Sequence, residues 1–124
     1  MTDWTPAELT SIGSTDDFHI SPFRADGATY GTPTWIWSVV VDGAVYVRAY
    51  NGTSPRWYGS AMSQRAGRIT AGGIAKDVSF VPAHEASLNA RIDAAYRAKY
   101  AGSPHLPTMI TDRVRAATVR VDPF

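Results

Sequence analysis

Residues 34–50 read TWIWSVVVDGAVYVRAY, and this stretch decides the fold. It holds two runs rich in β-branched and aromatic residues, 34–41 and 44–50, separated only by Asp42 and Gly43. An Asp-Gly pair between two such runs is a strong signal for a β-hairpin with a two-residue turn. Because the first run is apolar on both faces, it predicts a central strand that is covered on both sides.

The second strand of this hairpin alternates between two kinds of side chain. Its apolar face and its polar-aromatic face are formed by alternate residues: Val45, Val47 and Ala49 on the first, and Tyr46, Arg48 and Tyr50 on the second. A tyrosine beside a guanidinium is useful in a cleft that has a few placed polar groups. The second face is therefore a candidate wall of a ligand site.

Turn signals and hydrophobic periodicity divide the rest of the chain into further elements. We predict strands at 18–23, 68–71, 74–81 and 117–121, and helices from a Thr5 cap to Gly13, at 56–64 and at 84–101, with a short helical turn from Thr108. Thr5 and Glu8 have the spacing of a capping box. About six antiparallel strands with few helices predict an α+β fold. It would be an antiparallel six-stranded barrel or curved sheet with flanking helices, in a single domain spanning residues 1–124.

Composition limits the possible functions. The chain has 124 residues, of which 44% are hydrophobic and 19% are charged, a balance typical of one globular domain. A net charge of +1 argues against a dedicated nucleic-acid binder. The first residues lack a signal-peptide pattern and no apolar run is long enough to span a bilayer, so we expect a cytoplasmic location and no membrane partner.

Cysteine and histidine usage further narrows the chemistry. The sequence has no cysteine, which excludes disulfides and thiolate catalysis. His19, His84 and His105 are widely spaced and show no metal-ligand pattern, so we predict no metal site. Each is expected to be a surface or hydrogen-bonding histidine.

The segment 51–58, NGTSPRWY, carries the clearest candidate for ligand binding. Ser54 and Arg56 lie at the start of a predicted helix, and Arg48 comes from the strand before it. Helix N-termini attract anions, and arginine forks suit phosphate or carboxylate oxygens. The pattern predicts an anion site. An ordinary strand-loop-helix, with Ser54 as a cap and with solvated or paired arginines, fits the same residues.

Trp35 and Trp37 lie two residues apart and share one face of the predicted strand. They could stack a planar ligand such as an isoalloxazine ring in a pocket. They could equally fill the barrel or a dimer interface, because large aromatic side chains serve all three purposes.

Several of these runs together carry a family resemblance. They are Trp35-Ile36-Trp37, residues 42–48, Asn51-Gly52, Arg56-Trp57-Tyr58, Gly67-Arg68-Ile69 with Gly72-Gly73, and residues 90–100. On the basis of these runs, the chain resembles the bacterial domain of unknown function 2255 family over nearly its whole length. More distantly, PRWY at 55–58 is similar to the Pro-x-Trp-Tyr segment of deazaflavin-dependent nitroreductases. The strand before it is similar to the phosphate-binding strand of pyridoxamine-phosphate-oxidase-like flavoproteins.

This distant similarity implies a fold, an assembly and a cofactor. Both flavoprotein groups share the FMN-binding split barrel, usually a homodimer with ligand sites at the subunit interface. By similarity, Arg48, Ser54 and Arg56 would hold the phosphate of FMN or a deazaflavin. The implied function is a flavin- or deazaflavin-dependent oxidoreductase, in which the cofactor supplies the redox chemistry.

The remaining site residues follow from the same resemblance and from the aromatic pattern. Trp57 and Tyr58 would border the cofactor ring, with Trp37 as a stacking surface. Tyr46 or Tyr50 would be the catalytic group that places a proton or a carbonyl.

One departure from the nitroreductase pattern leaves room for other functions. Residues 59–62 read GSAM, where the nitroreductases carry an Asn-Leu pair and a basic run. The alternative is a cofactor-free split barrel that binds or converts a small aromatic metabolite in the same cleft. A purely structural or partner-binding dimer is a third reading.

Overall fold

The computed structural model describes residues 3–123 and contains both helices and antiparallel strands. In chain order the elements are α1 (Pro6–Gly13), β1 (Phe18–Pro22), β2 (Thr34–Trp35), β3 (Ser38–Val41), β4 (Ala44–Arg48), α2 (Arg56–Gln64), β5 (Ala66–Ala71), β6 (Ile74–Pro82), α3 (Ala86–Lys99), α4 (Leu106–Met109), α5 (Asp112–Arg115) and β7 (Thr118–Pro123). The predicted α+β class is confirmed. The single-domain prediction for residues 1–124 extends at both ends beyond the described residues.

The strands form one antiparallel sheet that curls into a half-barrel, in the order β2-β1-β5-β6-β7-β4-β3. Its two edge strands, β2 and β3, are consecutive in the chain and are separated only by Ile36 and Trp37. Three residue steps span at most about 11 Å, so this connection holds the two edges of the sheet close together. Because β2 and β3 are close but do not pair with each other, the sheet has an opening at this connection.

Residues 34–41 do not form the single central strand that their composition predicts. β2 pairs with β1 at one edge of the sheet and β3 pairs with β4 at the other, so the run is broken and the sheet has seven strands rather than six. Both faces of β3 are apolar because a helix covers this edge strand on each side. Val40 lies 3.5 Å from the Cβ position of Gly13 in α1, while Val39 and Val41 join the cluster under α3.

Both predicted hairpins are confirmed. Asp42 and Gly43 have φ angles of 51° and 79°, as a two-residue turn with positive φ at both central positions requires. Gly72 and Gly73, with φ angles of 53° and 91°, connect β5 to β6 in the same way. These turns fix the register of β3 with β4 and of β5 with β6.

Two hydrophobic clusters lie on opposite faces of the sheet. The inner core joins α1 and α2 to the sheet through Trp4, Ile12, Phe18, Ile20, Ile36, Val45, Val47, Ala49, Tyr58, Ala61, Ile69, Ala71, Val78, Phe80, Ala117, Val119 and Val121. The outer core lies under α3 and contains Val39, Val41, Tyr46, Ala83, Ile92, Tyr96, Tyr100, Met109 and Val114. The alternation predicted for β4 is confirmed, since Val45 and Val47 face the inner core and Tyr46 faces the outer core.

Candidate functional site

An open cavity of about 380 Å³ lies at the connection between β2 and β3. Four of its eleven lining residues are large aromatic side chains, Trp35, Trp37, Tyr50 and Trp57. The remaining lining residues are Thr34, Ile36, Arg48, Asn51, Pro55, His105 and Met109. Its volume lies near the lower end of the range of about 300–1,000 Å³ that is usual for small-molecule sites.

Trp37 is held in place from behind, on the side of the outer core. Its ring stacks on Tyr100 with centroids 3.9 Å apart and planes 3° apart. The Tyr100 hydroxyl accepts a hydrogen bond from the backbone nitrogen of Ser38 (3.1 Å) and donates one to the Ser38 carbonyl (3.2 Å). Because burial raises the pKa of Tyr100 to about 12, its hydroxyl keeps the proton that it donates. The indole of Trp37 is therefore oriented before any ligand enters.

The other two tryptophans form the rim of the cavity. Trp57 is half-buried in the first turn of α2, edge-on to Tyr58 with centroids 6.1 Å apart. Trp35 is 53% exposed, and its Nε1 donates a hydrogen bond to the Asp16 carbonyl at 2.6 Å. Among residues 3–123, the aromatic contacts of Trp37 and Trp57 are with Tyr96, Tyr100 and Tyr58, which lie outside the cavity, and no tryptophan ring of the wall stacks on another. The space between them is open to a ligand.

Tyr50 and His105 supply polar groups at the cavity wall. The Tyr50 hydroxyl lies 3.4 Å from His105 Nδ1, and the two rings meet edge-on with centroids 5.8 Å apart. Either group can be the donor, depending on the tautomer of the imidazole. Sequence reasoning placed Tyr50 at the site but missed His105. The partners lie 55 residues apart, and no local pattern connects them.

Arg48 also lines the cavity, but its guanidinium is bonded within the protein. It is 1% exposed, and each of its N–H-bearing nitrogens donates to protein atoms. The acceptors are Thr118 Oγ1 (2.9 Å), Asp93 Oδ1 (2.5 Å), the Met109 carbonyl (3.0 Å), and Asn89 Oδ1 (2.8 Å) and carbonyl (3.3 Å). A ligand phosphate would have to break bonds that already exist, so the geometry does not support the predicted phosphate contact of Arg48.

The carboxylate behind Arg48 is shared between two arginines. Asp93 is 5% exposed, and its second oxygen lies 2.7 Å from Arg115 Nη2. Burial opposes ionisation of Asp93, but hydrogen bonds and charge from Arg115 and Arg48 outweigh it and hold the pKa of this carboxyl below its usual value. The network therefore keeps a buried anion that neutralises Arg48.

Two predicted site residues lie in the cores instead of the cavity wall. Tyr46 is buried in the outer core under α3, where burial raises the pKa of its hydroxyl. Tyr58 is buried in the inner core. Neither lines the cavity, so the predicted catalytic role of Tyr46 and the predicted ring contact of Tyr58 find no support in this geometry.

Ser54 and Arg56 flank Pro55, the residue by which α2 reaches the cavity wall. Both are exposed and neither lines the cavity itself. Pro55 is the N-cap of α2, and no side chain hydrogen-bonds to the first turn. Ser54 is therefore not the cap that an ordinary strand-loop-helix would have used. Of the predicted site residues, the cavity brings together Trp37, Arg48, Tyr50 and Trp57.

Metal-binding clusters and membrane-spanning helices are both absent from the part of the chain that the structure describes. Within residues 3–123, no group of three or more histidine or acidic side chains is placed to hold a metal ion. No helix in that range has the length and apolar character needed to cross a membrane.

Fold and cavity together define a class of protein: a small α+β domain whose curled antiparallel sheet carries an aromatic cavity between its two edges. A family model described as "Uncharacterized protein conserved in bacteria (DUF2255)" matches residues 8–121, and the chain belongs to this family. The family resemblance seen in the sequence is thereby confirmed. The similarity to nitroreductases and other flavoproteins stays a prediction.

A solved structure shares the fold. The crystal structure of conserved hypothetical protein Rv2991 from Mycobacterium tuberculosis superposes with a TM-score of 0.67 at 15% identity, over 99% of this chain and 81% of that chain. At this identity the similarity shows the fold alone. No curated protein matches the sequence.

Proposed function

We propose that the cavity between β2 and β3 binds a planar aromatic small molecule. The observation that carries this proposal is its wall of Trp35, Trp37, Tyr50 and Trp57 around open space. Aromatic pairs gain about 0.5–1.5 kcal/mol beyond their area burial, and a wall fixed in advance spends little free energy on ordering when the ligand binds.

Charge and polarity narrow the ligand further. Among the described residues that line the cavity, Arg48 carries the permanent charge, and Asp93 neutralises it at 2.5 Å. The ring-bearing part of the ligand is therefore uncharged. Tyr50, paired with His105, offers a hydrogen bond to a carbonyl or hydroxyl group at the ring edge.

A flavin or deazaflavin is the candidate that the start of α2 favours. This helix begins beside the cavity with Pro55, has no side-chain cap and has no acidic residue in its first turn. Arg56 is exposed and forms no ion pair within residues 3–123. Free N–H groups and a nearby cation suit a phosphate. If the ligand is a flavin or deazaflavin, Ser54 and Arg56, rather than Arg48, would hold its phosphate.

The chemistry in the flavin version would come from the cofactor. It would supply hydride or electron transfer, which would make the protein an oxidoreductase. Trp37 and Trp57 would border its ring, and Tyr50 would hold a proton or a substrate carbonyl at the open side. Without a cofactor, the same residues would bind a small aromatic metabolite.

Intrinsic fluorescence provides a direct test of ligand binding. Trp4 lies in the inner core, with its Nε1 bonded to the Val121 carbonyl at 2.9 Å, so a Trp4→Phe background removes emission that does not come from the cavity. Riboflavin, FMN and 2-naphthol would be titrated into this protein. We expect saturable quenching. A Trp57→Ala substitution should weaken the affinity for the ligand about tenfold, which corresponds to about 1.4 kcal/mol. Quenching that does not saturate with any probe, or an unchanged affinity in Trp57→Ala, would contradict the proposal.

An Arg56→Ala substitution separates the two kinds of ligand. If the α2 N-terminus holds a phosphate, this change should weaken FMN several-fold and leave riboflavin unchanged. An equal affinity for FMN in the variant and the parent would refute the phosphate site and leave the neutral aromatic ligand.

We also propose that a second copy of the chain covers the rim of the cavity, completing a split-barrel homodimer. Trp35 and Tyr50 are exposed by 53% and 41%, unusually much for large apolar side chains, and both lie on this rim. Sedimentation at micromolar concentration should give the mass of a dimer, and Trp35→Glu should shift it to a monomer. A monomeric parent protein would contradict the assembly.

A further inference from the structure

A second cavity, of about 350 Å³, lies where the C-terminal ends of α1 and α3 meet. It is lined by Gly13, Ser14, Thr15, Asp16, Lys99 and Tyr100. None of these residues lines the aromatic cavity, so the two spaces are distinct. Lys99 supplies a primary amine to this second cavity, the group that forms an imine with an aldehyde.

The Lys99 amine is held by carbonyl oxygens and not by a carboxylate. Its Nζ donates to the Ser38 carbonyl at 2.8 Å and to the Ile12 carbonyl at 3.2 Å, with Ser38 Oγ at 3.5 Å. Among residues 3–123, no carboxylate lies within ion-pair distance of this amine. The charged and titratable groups that face it are Asp16, whose charge acts from farther away, and Tyr100, whose ring centroid is 5.4 Å away.

The two carbonyl acceptors can hold a neutral amine as well as a charged one. Burial lowers the pKa of Lys99 to about 8, although the charge of Asp16 opposes the shift. A neutral amine has two N–H bonds, and the two nearest acceptors use two. Losing the third proton removes the long contact to Ser38 Oγ and leaves a lone pair on Nζ.

We propose that Lys99 is a covalent attachment site for small, uncharged aldehydes that enter the second cavity. The Nζ lone pair attacks the carbonyl carbon, an N–C bond forms, and the carbonyl oxygen takes up the proton that nitrogen gives up. The resulting carbinolamine then loses its hydroxyl group as water and becomes an imine. When protonated, the imine keeps one N–H for the Ser38 carbonyl.

The surroundings select an uncharged aldehyde over an anionic one. Asp16 lies at the cavity wall, and the C-terminal carbonyls of α1 point their partial negative charge towards it. An aldehyde carrying a phosphate or carboxylate would be repelled there. A cationic protonated imine would be stabilised by the same groups.

The chain contains its own control, because it has one other lysine, Lys76. Lys76 is also half-buried, but its Nζ lies 2.7 Å from Glu8 Oε2 and 5.5 Å from the ring centroid of Trp4. Lys99 has a similar ring contact, with Tyr100 at 5.4 Å, so the ion pair with Glu8 is the difference between the two amines. In general an ion pair favours the charged amine, which cannot attack a carbonyl. The two amines can be compared in one sample.

The experiment is limited reductive methylation of the folded protein with formaldehyde and cyanoborohydride at pH 7, followed by peptide mapping by mass spectrometry. A pKa near 8 leaves roughly a tenth of the Lys99 amine neutral at this pH, against less than about a thousandth for an ordinary lysine. Because a less basic amine is also a weaker nucleophile, the rate advantage of Lys99 should be smaller than the ratio of the neutral fractions. We expect Lys99 to be methylated at least about tenfold faster than Lys76. The ratio should fall as the pH is raised towards about 10.

Two results would overturn the proposal. One is methylation of Lys76 as fast as that of Lys99 at pH 7. The other is a preference for Lys99 that persists in protein unfolded by urea, which would assign the reactivity to the local sequence and not to the cavity.

Discussion

Replacing Arg48 with methionine separates a structural role for this residue from a ligand-binding role. The substitution removes every hydrogen bond that the guanidinium donates and leaves Asp93 with Arg115 alone. Breaking a buried pair by removing one partner costs about 3–5 kcal/mol. Domains of this size are stable by about 5–15 kcal/mol. We therefore expect Arg48→Met to lose a large part of its free energy of unfolding.

Urea denaturation followed by circular dichroism measures this loss. With a slope of about 2 kcal/mol per molar urea, the midpoint should fall by roughly 2 M. Arg48→Lys keeps the charge that faces Asp93 but has fewer donors. Because a net hydrogen bond contributes about 0.5–1.5 kcal/mol, this variant should lose about 1–3 kcal/mol and stay folded.

Arg56→Met is the matched control, because it makes the same substitution at an exposed arginine, the first residue of α2. Its free energy of unfolding should stay within about 0.5 kcal/mol of that of the parent. A loss below about 1 kcal/mol in Arg48→Met would refute the internal network. If that stable variant also failed to bind FMN, Arg48 would regain the role of phosphate ligand.

Two further predictions follow from burial and backbone packing. The pKa of Asp93 is lower in the folded protein than in the unfolded chain. Its contribution to the free energy of unfolding is therefore complete above about pH 4 and is lost as the pH falls through the folded-state pKa. An Asp93→Asn variant should show a flatter acid dependence of the urea midpoint, and an unchanged slope would contradict this assignment. A Cβ on Gly67 would lie 2.4 Å from the Ser21 carbonyl oxygen and 2.6 Å from Pro22 Cα, so Gly67→Ala should destabilise by about 1–3 kcal/mol. Gly59→Ala, in open space within α2, should instead stabilise by about 0.5–1 kcal/mol, and equal effects of the two substitutions would show that the close approach of β1 and β5 is wrong.

Elements that depend on neighbouring residues were predicted well from the sequence. The Asp42-Gly43 and Gly72-Gly73 turns carry their own conformational preference, and both are found with positive φ. The predicted capping box is present, with the Glu8 nitrogen 3.1 Å from Thr5 Oγ1 and the Thr5 nitrogen 2.9 Å from Glu8 Oε1. In each case the residues that determine the structure lie within three positions of each other.

Features that depend on distant partners were not predictable in this way. Arg48 was correctly placed on a strand face that reaches the cavity, but its acceptors lie between 41 and 70 residues away. Nothing in the local sequence shows whether a buried guanidinium will bond to a carboxylate of the protein or remain free to bind a ligand. His105 was missed for the same reason, since only the folded chain brings the loop before α4 to Tyr50.

The error in the strand count and the position of the cavity have one physical cause. The run 34–41 has the composition of one strand, but the chain uses it to pass from one edge of the curled sheet to the other, with Ile36 and Trp37 as the crossing. Continued pairing between β2 and β3 would close the sheet and leave no opening. Instead, the rings of Trp35 and Trp37 line the space at which the two edges fail to pair. The same bulky residues that made the segment resemble a buried strand are therefore the ones that keep the site open for a ligand.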